Sequence, residues 1–454
     1  MARGSYVSDF TRGSVMKQLI IFSLPLFLSN LLQIVYNMVD MVIVGRSLGK
    51  VGLSAVSVGG DVSNFLTFVA MGFSNAGQVI IAQYLGAGRS RDVGRFIGTM
   101  FAFLGLLALT LGGTALVLRR GVLGIMNTPP ESFAQALSYS TICMAGLPFI
   151  YGYNAVSAVM RGMGDSKHPF VFISIAALLN VALDLLFVMG LGMGAGGAAL
   201  ATVLSQGVSF VSCAVFTLNR REEFGIEVRA GDFFRLDGAM LRALVGLGVP
   251  MAIRSAAISS SKLFVNSWIN SYGVAVSAFA GISNKIGSVS NLLSNALITA
   301  GSSMVGQNIG AKTYDRVPKV MLSVGTLSFS IATVMAVLLF SFPRQIFSFF
   351  TADAEVLAIG MKYLPIGALL FYGAASRAPA NALVNGSGNY AANFATAILD
   401  GIILRIGLAL FFGLTLGMKH YGFWLGDAVA GFTPMFIAAY LLARGSWKKS
   451  KLVK

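Results

Sequence analysis

Charge is scarce in this sequence. Only 11% of the 454 residues are Asp, Glu, Lys or Arg, and acids number 17 against 33 bases. A soluble domain carries about a quarter charged residues, so an ordinary water-solvated surface is excluded. Cysteine is nearly absent: Cys143 and Cys213 both fall inside apolar runs, which rules out a disulfide framework and leaves two inert buried thiols. The two histidines, His168 and His420, lie near the ends of apolar segments and have no metal-binding spacing around them. There is no HExxH motif, no phosphate-binding P-loop and no nucleophile–base pair, so the sequence gives no ground for an enzyme. No small-residue cleavage site follows a short apolar core near the N-terminus. The first apolar segment therefore reads as a retained helix.

What fills the chain is hydrophobic sequence: 56% of residues, with a mean hydropathy of +0.77. A helix needs about 20 apolar residues to cross a bilayer. Spans of that kind run at 16–45, 51–82, 93–118, 133–159, 168–192, 195–218, 240–270, 274–308, 318–342, 355–383, 389–416 and 421–443. They predict an all-α integral membrane protein of twelve helices. The basic residues cluster in short loops on one side (Arg89, Arg91, Arg95, Arg220, Arg221, Arg229, Arg235) and are sparse on the other (Arg46, Lys50, Arg119, Arg120). That pattern puts both termini in the cytoplasm. It also accounts for the net charge of +16 without a nucleic-acid partner. The longest polar stretch, Asn219 to Arg242, divides the chain almost in half. Residues 1–218 form an N-lobe of six helices, 219–242 a cytoplasmic linker and 243–454 a C-lobe of six helices.

The halves resemble each other. IAQYLGAGRSRDVGR (81–95) aligns with VGQNIGAKTYDRVPK (305–319), pairing Gln83 with Gln307, Gly86 with Gly310 and Ala87 with Ala311. RGMGD (161–165) aligns with NGSGN (385–389) at the same spacing, and Pro25 has its counterpart in Pro250. Six spans per half make these parallel repeats, a plan typical of secondary transporters.

The informative residues are those that do not belong in lipid. Asn30, Gln33, Asn37 and Asp40 make one stripe along the first helix, which Pro25 should kink or loosen. A charge near the bilayer centre costs at least about 2.5–3.5 kcal/mol, so this stripe faces protein or water. Asp184 lies one turn after Asn180 in the fifth span, and Thr202 lies in the sixth. At about 1.5 Å rise per residue, Asp40, Asp184 and Thr202 reach a common depth in the outer half of the N-lobe, with Asp61 at a compatible level. Carboxylates, an amide and a hydroxyl form a hard oxygen cluster suited to Na+ or a shared proton. The C-lobe is basic instead: Arg254, Lys262, Lys285, Arg377 and Arg405 fall within spans. Arg405 has Asp400 and Asp427 as candidate partners. Arg254, Lys262 and Arg377 have no acid apparent in the sequence and, with Lys285, are candidates to line a cavity. Asn30, Gln33, Asn37 and Asp61 are the corresponding candidates in the N-lobe.

The six-plus-six repeat, the proline in the first and seventh spans, the AQ-LGAG and GQ-IGAK loops and the RGMGD loop together resemble a bacterial member of the multidrug and toxic compound extrusion (MATE) family, over essentially the whole chain. The resemblance implies two six-helix lobes in a V-shaped arrangement. It implies a plasma-membrane antiporter that exports small organic compounds and is driven by Na+ or H+, with no cofactor and as a monomer. It also implies a cation site at Asp40, Asn180, Asp184 and Thr202. One feature departs from the family pattern. Some members carry an acid in the seventh span, where this chain has Arg254 and Lys262. That favours an anionic, zwitterionic or neutral polar substrate. The alternative reading is a lipid-linked precursor flippase of the wider superfamily, whose pyrophosphate head group would suit the basic C-lobe.

Overall fold

The structure is a computed structural model that describes residues 6–448 and Leu452, with the side chains of Ala230 and Phe234 excepted. Apolar runs with few caps and few breakers fold as long helices. In the first half these are α1 (Val15–Gly86), α2 (Ser90–Ile125), α3 (Pro130–Ala145), α4 (Leu147–Gly162), α5 (Lys167–Asp184) and α6 (Gly194–Asn219). The second half holds α7 (Gly238–Asn270), α8 (Val274–Gly310), α9 (Arg316–Ser341), the short α10 (Pro343–Ser348), α11 (Ala354–Gly386), α12 (Tyr390–Ile398), α13 (Leu404–Leu410), α14 (Lys419–Ala430) and α15 (Thr433–Arg444).

Among the described residues, nine helices are long and apolar enough to cross a membrane, or ten when α3 and α4, bent by 48° at Gly146, count as one span. At 72 residues α1 is far longer than one bilayer crossing. Its backbone leaves helical geometry at Gly49, with φ 62° and ψ −154°, so it supplies two spans. Glycine is the residue that tolerates such a turn without a Cβ clash. The expected kink at Pro25 is a different matter: no residue around it leaves helical φ/ψ, and the break falls at Gly49 instead. With α8 (37 residues, too polar for the apolar criterion) the spans come to the twelve read from the sequence.

Two compact units emerge. The first holds Leu28–Gly248 and the segment that ends at Asp9. The second holds Phe10–Phe27 and the chain from Val249 onward. The changeovers fall just after Pro25 in α1 and just before Pro250 in α7. The physical reason in the second unit is plain. Phe10, Val15, Leu19, Phe22 and Leu26 are buried in one core with Leu297, Met304, Val320, Leu383, Leu441 and Trp447.

The repeated loops hold this arrangement. Gln307 Oε1 accepts from Phe10 N (3.1 Å), and Asn308 Nδ2 donates to Phe10 O (3.1 Å). Arg316 donates to the carbonyls of Phe10 (3.2 Å) and Gly13 (3.0 Å). The matched loop residues Asp165 and Asn389 play one role at two helix starts. Asp165 accepts from the backbone of Lys167 and His168, and Asn389 from that of Ala392. Each satisfies N–H groups that a helix start leaves orphaned.

In the first unit, the polar stretch after α6 docks on α2. Arg91 makes a bidentate pair with Asp232 (2.9 and 3.0 Å), and Arg95 reaches Asp237 (2.8 Å). Burial alone would push the Asp232 carboxyl up. The Arg229 backbone N–H and the Arg91 guanidinium outweigh it and hold the carboxyl below the usual range. This contact is therefore at full strength at neutral pH and fails only as pH falls through that lowered value. Docking also requires bare backbone on α2. A Cβ on Gly94 would lie 2.1 Å from Glu227 O, and one on Gly98 2.4 Å from Asp232 O. Gly98→Val should therefore undock the segment. Trypsin should then cut faster at Arg220, Arg221, Arg229 and Arg235, about tenfold for each ~1.4 kcal/mol by which opening becomes easier. An unchanged cleavage rate would show that the close approach does not hold the segment down.

Candidate functional site: a paired-carboxylate cluster and a basic cavity

Four of the expected residues converge in the first unit. Asp40 lies in the first half of α1, and its side chain is buried beside Asp184 of α5. Asn180 and Asp184 come from the last turns of α5, and Thr202 from α6. Asp184 is fully buried and marks the point where α5 loosens into a π-helical turn, Leu185–Gly190. Such turns recur at functional positions because they re-aim the side chains beside them.

The carboxyl groups of Asp40 and Asp184 face each other within hydrogen-bonding reach. The Asn180 amide connects Asp184 to Thr202. In one orientation its nitrogen donates to Asp184 Oδ2 (3.3 Å) while its oxygen accepts from Thr202 N (3.3 Å). In the other orientation its nitrogen points to Thr202 Oγ1 at 3.5 Å. The Thr202 hydroxyl proton is taken by Ala198 O (3.0 Å), which leaves the oxygen itself free to accept. Asp40 Oδ1 and Asp184 Oδ1 are both buried with no hydrogen-bond partner among the described residues. Two adjoining carboxylates with unpartnered oxygens cannot both stay bare anions in a dry interior. They need a shared proton or a small cation. A tight divalent site is a poor fit, since no group of three His, Cys, Asp or Glu side chains converges among the described residues.

The other N-lobe candidates do not join this cluster. Gln33, Asn37 and Asp61 are exposed, and Asn30 is half-buried. Three residues not singled out in the sequence do join it. Tyr36 lies beside Gln33 and Gln206 and within electrostatic range of Asp40, and Tyr139 sits within electrostatic range of both carboxylates. Tyr36 lies one turn before Asp40, so its place on the same face was the available signal.

The second unit holds a cavity of about 260 Å³ between α7, α8, α11 and α14. Lys262 and Arg377 line it, together with Asp427. Lys285 is exposed and outside it, and Arg254 is taken up by Asn381 Oδ1 (3.3 Å) and Asn385 Oδ1 (3.2 Å). The reading of Arg377 as lacking an acid needs correction, because its Nη2 pairs with Asp400 Oδ1 at 3.2 Å. That pair joins α11 to the π-helical turn Leu399–Ile403 that follows α12, a meeting no sequence spacing reveals. Arg405 is fully buried. It donates to Asp400 Oδ1 (3.0 Å) and to Asp427, so both of its expected partners are used.

The MatE family profile matches this chain twice, over residues 25–186 and 250–411, each match beginning at the first-helix proline of its half. The probable multidrug resistance protein YpnP of Bacillus subtilis (strain 168) is 29% identical over 445 residues, covering 98% of each chain. The probable multidrug resistance protein YoeA of the same organism is 28% identical over 456 residues, covering 98% of this chain and 96% of its own. A crystal structure of MATE in the bent conformation superposes with a TM-score of 0.89 at 21% identity, covering all of both chains.

Proposed function

Because the chain belongs to the MatE family of multidrug and toxic compound extrusion transporters, which move small molecules across membranes and are not enzymes, we propose that it is a cation-coupled antiporter. In this reading it exchanges inward-moving Na+ or H+ for small organic compounds moving outward, by alternating access. The observation that carries the reading is the pair Asp40–Asp184 with its two unpartnered buried oxygens. A ligand shifts a conformational equilibrium only by its difference in affinity between the two states. Two adjoining carboxyl groups with no cationic side chain paired to them among the described residues supply that difference for a cation, and Asn180 and Thr202 supply neutral oxygens beside them. The inside-negative potential adds about 2.3 kcal/mol per charge per 100 mV to inward movement. We place the protein in the plasma membrane as a monomer with both termini cytoplasmic, in keeping with the excess of basic residues in the loops on that side.

Purified protein in proteoliposomes tests this directly. An imposed Na+ gradient or an imposed pH gradient, applied separately, should drive accumulation or release of at least one member of a panel of cationic, anionic and neutral dyes. The effective gradient identifies the coupling ion. If dye movement ignores both gradients, the antiport reading is lost.

A further inference from the structure

The charged groups around the second-unit cavity do not balance. Lys262, Arg377 and Arg405 are three cations against the two carboxylates Asp400 and Asp427. The carboxylates are claimed by the arginines: Asp400 by Arg377 and Arg405, and Asp427 by Arg405. Lys262 makes no hydrogen bond or ion pair among the described residues, and Arg377 Nε is buried without a partner. An uncompensated cation away from water is costly, and an anion of matching shape removes the cost. The remaining cavity walls narrow the choice of anion. Tyr363 and Trp424 meet edge to face at 5.2 Å and both line the cavity, with the amide of Asn266 nearby. At about 260 Å³ the space lies just under the range of drug-sized pockets, so it suits one or two rings and not a larger scaffold.

We propose that this cavity is a binding site for small aromatic monoanions, the carboxylate held between Lys262 and Arg377 and the ring lying against Tyr363 and Trp424. The carboxylate has the planar two-oxygen shape that an arginine and a lysine can share. This inference takes the exporter reading as its setting and names the substrate class. The site is built wholly from residues of the second unit, and the Asp40–Asp184 cluster from residues of the first.

The test is calorimetric titration of the full-length protein in detergent with three ligands of one shape: 2-naphthoate, 2-naphthamide and 2-naphthylmethylammonium. Naphthoate should bind at least about tenfold more tightly than the amide, and the ammonium least of all. Lys262→Met should lose about tenfold or more of the naphthoate affinity, and Lys262→Arg should keep most of it. Equal binding of naphthoate and naphthamide by the wild type overturns the proposal even if the Lys262→Met protein does not fold. So does an unchanged naphthoate affinity in a folded Lys262→Met protein. Asp40→Asn separates the two readings, because it should keep naphthoate binding while losing gradient-driven transport. Gradient-driven transport without naphthoate binding would sink this site alone. Naphthoate binding without any gradient-driven transport would sink the antiporter reading alone.

Discussion

An Asp184→Asn transporter should load into liposomes like the wild type and no longer respond to an ion gradient. The substitution keeps the shape of the side chain and removes only its charge. The amide can still hydrogen-bond to Asn180, and no cavity opens in the core. What disappears is the second negative charge facing Asp40, and with it the affinity difference that lets a cation favour one state. Coupling free energies of about 1–3 kcal/mol correspond to about 5- to 150-fold, so gradient stimulation of that size should fall to none. Asp40→Asn should do the same. The double variant should be no worse than either single one, because the two carboxyls act as one unit. Thr202→Val should weaken coupling less, since the hydroxyl offers one neutral oxygen. The measurement is initial efflux rate with and without the gradient, alongside the melting temperature of each variant. Undiminished stimulation in a folded Asp184→Asn protein would remove this cluster from the mechanism.

The second large effect concerns stability. Arg405→Ala takes a guanidinium with no solvent exposure from between Asp400 and Asp427 and leaves both carboxylates short of a partner. Breaking a buried ion pair by removing one partner costs about 3–5 kcal/mol, enough to deplete the folded population in detergent. The expected result is a sharp fall in the half-denaturation temperature by fluorescence-detected size exclusion. Arg405→Leu combined with Asp427→Asn should recover a good part of the loss, because the charge stranded at Asp427 is gone as well while Asp400 keeps Arg377. A single Arg405→Ala protein as stable as the wild type would mean that the two carboxylates are satisfied some other way.

Much of this organisation is legible in the sequence, and the limits have physical causes. The spans and the repeat are written in hydropathy and loop motifs, and α5 and α6 bring Asn180, Asp184 and Thr202 together because their spacings are helical. The polar stripe on α1 is only half informative. It says that Gln33 and Asn37 avoid lipid, but exclusion from lipid does not distinguish burial in protein from exposure to water, and both are exposed. Tyr36 was hidden because an aromatic ring counts as apolar in any hydropathy sum, although it carries a polar hydroxyl and lies within electrostatic range of Asp40. The pair Arg377–Asp400 was hidden for another reason. Its partners lie 23 residues apart on different helices, and the π-helical turn Leu399–Ile403 that carries Asp400 shifts the register on which a face would be drawn.

The exchange of first-helix segments has a consequence for biosynthesis. A ribosome makes Phe10, Leu19 and Phe22 more than 400 residues before Leu441 and Trp447, yet one core buries all five. Until Trp447 has been made, this apolar segment has no completed core to enter. Its loop-closure cost spans more than 400 residues of intervening chain, although that cost rises only logarithmically with length. The segment can dock on α8 and α9 through Gln307, Asn308 and Arg316 as soon as those are made, but its core is complete only once the chain through Trp447 exists.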